Sequence, residues 1–390
     1  MKRTIVTIVA LLCCGWAMGQ QRMENATYFG HIYLQTMIDG HMANLAFDTG
    51  SPYLCLDSTY QADSGYAYKN VIDAKMDGAG NNSASVKAIV NEATYTLAGH
   101  TYTTKVAPIV SLKPILGDYA DGILGLSELG GKVIAIDFAR GKIGFWERLG
   151  TSDIEGYTSI PIRFEGMRIF VELKVTVSNG KSIEGAGMID LGSGEAVTLT
   201  SAVAESHKLN DITPSIHYSL SNGGIGGESS GCEFRADQVD IGPFSLKEVT
   251  MDFSYNTGGA LATDNYIGII GNDIWERFDM IIDLNGEKLY LKPNEEYNKP
   301  FEAPTLGFIY TDRSRTLDCW VVNGLFSGSN AEKAGLKQGD RIVAVSDRSV
   351  KEMDIVEQRS CFDNMTTIQL TVLRDGKKEV ITFPKDEPRF

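Results

Sequence analysis

"NLAFDTGSPYL", residues 44–54, decides how the rest of the chain is read. An acidic residue, Asp48, follows a mostly apolar run and precedes Thr49-Gly50-Ser51. A lone aspartate in such a place could do no more than cap a turn. Its meaning depends on a partner elsewhere, and residues 186–201, "AGMIDLGSGEAVTLTS", supply one. Asp48-Thr49-Gly50-Ser51 falls on Asp190-Leu191-Gly192-Ser193. Each follows apolar residues and precedes a strand-like stretch ending near a serine, Ser58 or Ser201.

The flanks agree with the match. "DGILGL" at 121–126 has its counterpart in "IGIIGN" at 267–272. Gly122 lies 74 residues after Asp48, and Gly268 lies 78 after Asp190. Asp137 and Asp283 each lie 12 residues beyond the second glycine of their segment, before Gly141 and Gly286, and read as turn residues. Upstream, Asp39-Gly40 and Asn179-Gly180 are hairpin signals joining two strands in each copy. The middle of each copy starts with a glycine-rich tip, Gly78-Ala79-Gly80 or the run around Gly224-Ile225-Gly226, and continues as alternating strands. The repeat thus spans nearly all of residues 28–293, with a polar junction near 147–159. Strand patterns dominate, and "AVAESHKLN" at 202–210 is one of few helical candidates.

A duplicated β unit with one loop aspartate per copy predicts a two-fold arrangement with Asp48 facing Asp190. Two carboxyl groups that close cannot both ionise and share a proton. One then serves as general base on a water molecule while the other protonates the carbonyl under attack. Gly50 and Gly192 permit the tight turn and turn N–H groups toward the carboxylates. Ser51 and Ser193 have hydroxyls able to donate to the outer oxygens. The glycines of Ile123-Leu124-Gly125 and Ile269-Ile270-Gly271 permit close approach of another backbone.

The whole chain bounds the reading. At 390 residues it is long enough for two or three domains. Its net charge of −14 argues against nucleic acid as partner. Lys2 and Arg3, then "TIVTIVALLCC" and "AMG", predict an export signal over residues 1–19, too short to span a bilayer. Cys14 as a lipid-modified N-terminus is the alternative. An exported protein, periplasmic, at the surface or secreted, is expected. Cys55, Cys232, Cys319 and Cys361 are too widely spaced for a disulfide scaffold and read as free thiols, although Cys319 and Cys361 could approach. No CxxC occurs and the histidines do not cluster, so neither metal nor cofactor is expected.

The paired Asp-x-Gly-Ser and apolar-apolar-Gly elements resemble the aspartic peptidases, of pepsin and retropepsin type. The resemblance covers about two thirds of the chain. It implies a mainly β, bilobal, pseudo-two-fold double β-barrel, with lobes at 20–150 and 151–296. It implies Asp48 and Asp190 as catalytic, supported by Thr49, Gly50, Ser51, Gly192 and Ser193. Shared-proton carboxylates are that family's standard property. Tips at both Gly78-Ala79-Gly80 and Gly224-Ile225-Gly226 look more like a fused retropepsin dimer than pepsin, and imply flaps that clamp an extended peptide by backbone hydrogen bonds. Two departures stand out. Asp77 precedes "GAG" where pepsin has its flap tyrosine. Leu191 replaces the hydroxyl residue that follows each catalytic Asp, and this is the feature favouring a weak or inactive peptide-binding scaffold.

"NEEYNKPFEAP", 294–304, reads as a linker. Beyond it, "AEKAGLKQGDRIVAV" (331–345) and "LGF" (306–308) resemble a PDZ domain over 305–390. That resemblance implies an α+β unit in which Leu306, Gly307 and Phe308 hold the C-terminus of a peptide ligand. Peptide or protein substrates, a C-terminal peptide ligand and a monomeric chain are the expected partners and state.

Overall fold

Strand Ile32–Ile38 buries alternate residues against the core, and strand His41–Phe47 returns beside it. The turn between them is Asp39-Gly40, with φ of 48° and 82°, the left-handed pair that a two-residue hairpin requires. The register runs from Ile38↔His41 to Ile32↔Phe47 and delivers Asp48 at the end of the second strand. The second copy differs at its turn. Strands Arg168–Thr176 and Ser182–Ile189 close at Thr176↔Ser182, so Asn179-Gly180 sits inside a longer connection and only Gly180 takes a positive φ, 76°. Asp190 follows the returning strand as Asp48 does.

The computed structural model describes residues 23–65, 67–302 and 305–387. The expected signal over 1–19, with Cys14, lies outside the described residues. The fold is mainly β and bilobal. In the first lobe His41–Phe47 pairs in parallel with Gly122–Leu124, which pairs antiparallel with Cys55–Asp57. In the second, Ser182–Ile189 pairs in parallel with Gly268–Ile270, which pairs antiparallel with Val197–Leu199. Each Asp loop is therefore held between the same two strand ends of its own lobe.

A shared antiparallel sheet joins the lobes. Its order is Glu24–Asn25, Lys142–Trp146, Val133–Asp137, Phe278–Asp283, Lys288–Pro293, Thr158–Glu165. The central pair runs Val133↔Asp283 to Asp137↔Asp279, so the pseudo-two-fold passes near Ala135↔Ile281. Asp137 and Asp283 cap turns, accepting from Arg140 N and Gly286 N at 2.9 Å each. One apolar cluster runs from Ile32 through Leu45 and Leu191 to Leu291, across both lobes. Burial on that scale is the main stabilising term of such a fold. Thr200 accepts from Val203 N and caps helix Ser201–His207, the helix read from the sequence.

Residues 305–387 form a small α+β module with its own core of Phe308, Trp320, Val322, Ile342, Leu370 and Val372. Ser329 caps helix Asn330–Lys333, and Asp375-Gly376 turns strand Thr367–Arg374 into Lys377–Pro384. The segment read as a linker is pinned rather than loose. The Arg277 guanidinium donates to the carbonyls of Glu296 and Lys299, at 3.1 and 2.6 Å, and stacks on Phe301 at 3.6 Å.

Candidate active site

The two Asp loops interlock. A Cβ on Gly50 would lie 2.6 Å from Asp190 Oδ2, and one on Gly192 would lie 2.6 Å from Asp48 Oδ1. Only glycine lets each loop pass so close to the other's carboxyl group. Each carboxyl group thus lies against the other's loop, close enough for the charge of one to act on the other. Both aspartates are half-buried, deep but reached by solvent.

Backbone N–H groups orient the pair. Ser51 N donates to Asp48 Oδ1 at 2.9 Å, and Gly192 N donates to Asp190 Oδ1 at 2.8 Å. The expected donation from the Ser51 hydroxyl is not what the geometry gives. Ser51 Oγ donates instead to Tyr53 O at 3.2 Å, because the loop curls back on itself there. Ser193 is fixed through its backbone, with N–H to Asp190 O at 3.3 Å and carbonyl to Asn272 N at 2.8 Å.

Thr49 is fully buried and bridges the loops. Its hydroxyl donates to Ile189 O at 2.8 Å and accepts from Leu191 N at 3.0 Å. Leu191, also fully buried, cannot return the bond and packs into the shared apolar core. The cross-loop link is therefore one-sided. Thr49→Val keeps the shape but strands a buried N–H and a buried carbonyl. It is expected to lower stability by about 3 kcal/mol, measured by urea unfolding.

Two residues missed in the sequence complete the one-sided link. Asn272 Nδ2 donates to Leu191 O and Gly30 O, both at 2.8 Å, and so ties the second Asp loop to the first lobe. His31 Nε2 lies 3.0 Å from Gly192 O. A signal existed: Asn272 stands where the first copy has apolar Leu126, after the repeated glycine.

Burial, then the charge of Asp190, holds the Asp48 carboxyl well above the usual range. Burial raises Asp190 too, against the N–H donors and the nearby Arg168 charge. The pair thus keeps a proton at pH values where an ordinary aspartate has lost its own. Cys55, beside the first loop, is pushed to about 12 by burial and stays a neutral thiol. All four cysteines among the described residues are free.

The flaps meet. The first hairpin, Val71–Met76 and Ala84–Val90, carries Gly78-Ala79-Gly80 at its tip. The second, Ser215–Leu220 and Ser229–Ile241, carries Gly224-Ile225-Gly226. Gly80 N donates to Ile225 O at 2.9 Å, and Asn82 N to Gly226 O at 3.1 Å. The first tip also rests on the second lobe, where Ala260 N donates to Gly78 O at 2.8 Å and Asn256 Nδ2 to Ala79 O at 2.8 Å. Ile225 packs against Val110, Leu112, Ile123 and Cys55, on the walls of the Asp48 loop. Beside it runs a groove of about 510 Å³ bounded by Ser83–Lys87, Ile109–Ser111 and Gly224–Gly227.

Gly227-Glu228-Ser229-Ser230-Gly231 has the spacing of a serine-hydrolase elbow. Ser229 is buried at the start of a flap strand, however, and its hydroxyl donates to Asn256 Oδ1 at 2.9 Å. It is a structural residue.

On the second lobe a carboxyl group stands where the first has an apolar residue. Leu199 pairs with Phe253 as Leu56 pairs with Ile109, each opposite the first glycine of its segment, so Asp252, opposite Thr198, falls on Pro108. Burial raises Asp252 well above the usual range, with Glu195, Glu233 and Cys232 adding to it. A carboxyl raised on folding stabilises fully below its ordinary pKa, and that contribution is lost as pH rises through the raised value. Asp252→Asn is therefore expected to melt several degrees above the wild type at neutral pH and level with it in acid, as read by calorimetry.

Leu306, Gly307 and Phe308 enter the first strand of the C-terminal module. Gly307 has a φ of 75° and its carbonyl accepts from Phe326 N at 3.1 Å. Strand Phe308–Arg313 pairs with Cys319–Phe326; Tyr310 Oη donates to Gln358 O of helix Ile355–Ser360 at 3.4 Å, and Asp312 O accepts from Asp118 N of the first lobe at 2.9 Å. No helix among the described residues is long and apolar enough to cross a membrane.

No family model matches the chain, and no curated protein does. Among solved structures the chain is similar to the aspartic proteinase from Irpex lacteus. The identity is 15%, the match covers 73% of this chain and 100% of that one, and the TM-score is 0.47.

Proposed function

We propose that the chain is an exported aspartic endopeptidase in which Asp48 and Asp190 together activate water against a peptide bond. The observation that carries the proposal is the interlock of two like loops, in which each glycine passes against the other loop's carboxyl group. With one proton between them, one carboxylate accepts a proton from water as it attacks the amide carbon. The other donates its proton to the carbonyl oxygen, giving a tetrahedral gem-diol. Proton return to the amine then releases both products. The N–H groups of Ser51 and Gly192 keep the carboxyl planes fixed through these transfers. The flap tips hold the extended substrate by their backbones, and the C-terminal module, read as a PDZ domain, takes a peptide C-terminus at Leu306-Gly307-Phe308.

The test is cleavage of a peptide library by the wild type and by Asp48→Asn, from acid to neutral pH. Cleavage by the wild type alone supports the proposal; equal traces, or none from either, overturn it. Leu191 favours a second reading, a scaffold that binds peptides without cutting them. A peptide with a tetrahedral hydroxyl isostere in place of its amide separates the two. An enzyme binds it far more tightly than the parent peptide, whereas a scaffold binds both alike.

A further inference from the structure

The two flaps look equivalent in the repeat but are held differently. The first strand of the second flap, Ser215–Leu220, is covered on both edges. Ser229–Ile241 lies on one side and strand Cys319–Phe326 of the C-terminal module on the other, in the register Tyr218↔Phe326, Ser219↔Leu325, Leu220↔Gly324. The ladder is extended at both ends: Ser327 N donates to His217 O at 2.8 Å and Ser221 N to Asn323 O at 2.9 Å. Asn323 adds a reciprocal pair with the Asn222 backbone, at 2.8 and 2.9 Å, and Gln338 Nε2 donates to Ser219 O at 2.8 Å.

The module is itself anchored to the opposite lobe. The Asp118 carboxylate is buried there and accepts from Arg313 Nε at 2.8 Å and Thr316 N at 2.7 Å, while Asp118 N donates to Asp312 O at 2.9 Å. The second flap therefore cannot swing without tearing a ladder whose far side is fixed. The first flap has no such ladder along its outer edge. It is held across the cleft at its tip, by the second flap and by Ala260 N, Asn256 Nδ2 and Thr257 N of the second lobe, the last donating to Asn81 Oδ1 at 2.7 Å. Its outer strand, Val71–Met76, pairs only with Ala84–Val90 among the described residues, and Ile72 on it is 55% exposed.

We infer that the cleft opens on one side only. The first flap, residues 71–90, is the moving door, and the C-terminal module holds the second flap as a fixed jamb. This rests on the peptidase reading for its purpose but not for its geometry. Substrate enters by breaking the tip contacts of residues 78–82 with the second flap and with Asn256, Thr257 and Ala260. The tip of the second flap, Gly224-Ile225-Gly226, stays in place as a preset edge for the incoming strand.

Hydrogen exchange of the full chain, read by mass spectrometry, tests the inference without any turnover. Peptides across 215–222 are expected to exchange at least about tenfold more slowly than peptides across 71–84. In Gln338→Ala, and more so in Asn323→Ala, the protection of 215–222 should fall while that of 71–84 holds. Equal exchange in the two flaps of the wild type, or insensitivity of 215–222 to both variants, overturns it. Cysteine pairs give a functional arm. An oxidised Asn81→Cys/Thr257→Cys pair should stop peptide cleavage reversibly, and an oxidised Ser219→Cys/Gln338→Cys pair should leave it unchanged. Loss of cleavage in the second pair sinks the fixed jamb. A wild type that cleaves nothing sinks the peptidase reading alone, and exchange still decides the gate.

Discussion

Asp48→Asn is expected to lower the rate of peptide cleavage by about three orders of magnitude, and Asp190→Asn by a similar factor. A positioned acid or base contributes roughly 10²- to 10⁴-fold, and neither amide can carry the proton that its carboxyl group moves. The two aspartates act as a unit, so the double variant should be little worse than either single one. Asparagine keeps the acceptor for Ser51 N, so the loop should hold its shape. Stability then moves the other way. Asp48 is raised by burial first and by Asp190 second. Its stabilising share is complete in acid and lost as pH rises through the raised value. Asp48→Asn should therefore match the wild type in acid and melt above it at neutral pH. An inactive variant that is also the more stable one excludes unfolding as the cause of lost activity. Kinetics with a defined peptide and calorimetry at two pH values check both halves.

Gly125→Ala and Gly271→Ala are expected to destabilise the fold by more than about 3 kcal/mol each, enough to leave little soluble protein. A Cβ on Gly125 would lie 2.5 Å from both Ser51 O and Tyr53 O. One on Gly271 would lie 2.8 Å from Ser193 O and nearer still to Glu195 O. These neighbours are backbone carbonyls of the two Asp loops, so no side-chain rotation relieves the clash. The same substitution at Gly130, where nothing lies within 4 Å, should be close to neutral. Soluble yield and urea melts of the three variants decide the matter. A Gly271→Ala protein as stable as Gly130→Ala would mean that the loops do not pack as described.

The repeat was the legible part of this molecule. The equal spacing of Asp137 and Asp283 from their glycines located two strands that pair with one another at the pseudo-two-fold. The matching glycines marked places where a backbone passes within contact distance, and it does so in both lobes. Such features are local and steric, so residue type and spacing carry them. Partner choice is not local. Nothing near Ser51 says that its hydroxyl will turn to Tyr53 O rather than to Asp48. Asn272 reaches Gly30, 242 residues away, and Tyr218 pairs with Phe326 across a domain junction. The hairpin signals show the same limit in miniature. Asp39-Gly40 forms the tight turn, whereas Asn179-Gly180 is absorbed into a longer loop because the flanking strands pair earlier.

The central claim is that Asp48 and Asp190 share one proton. Its most direct measurement is a carbon-13 NMR titration of aspartate carboxyl groups in the full chain, with the two resonances assigned from Asp48→Asn and Asp190→Asn. The account expects both resonances to move together, with one proton retained by the pair above the pH at which surface aspartates have ionised. Two independent titrations, each in the ordinary aspartate range, would contradict it.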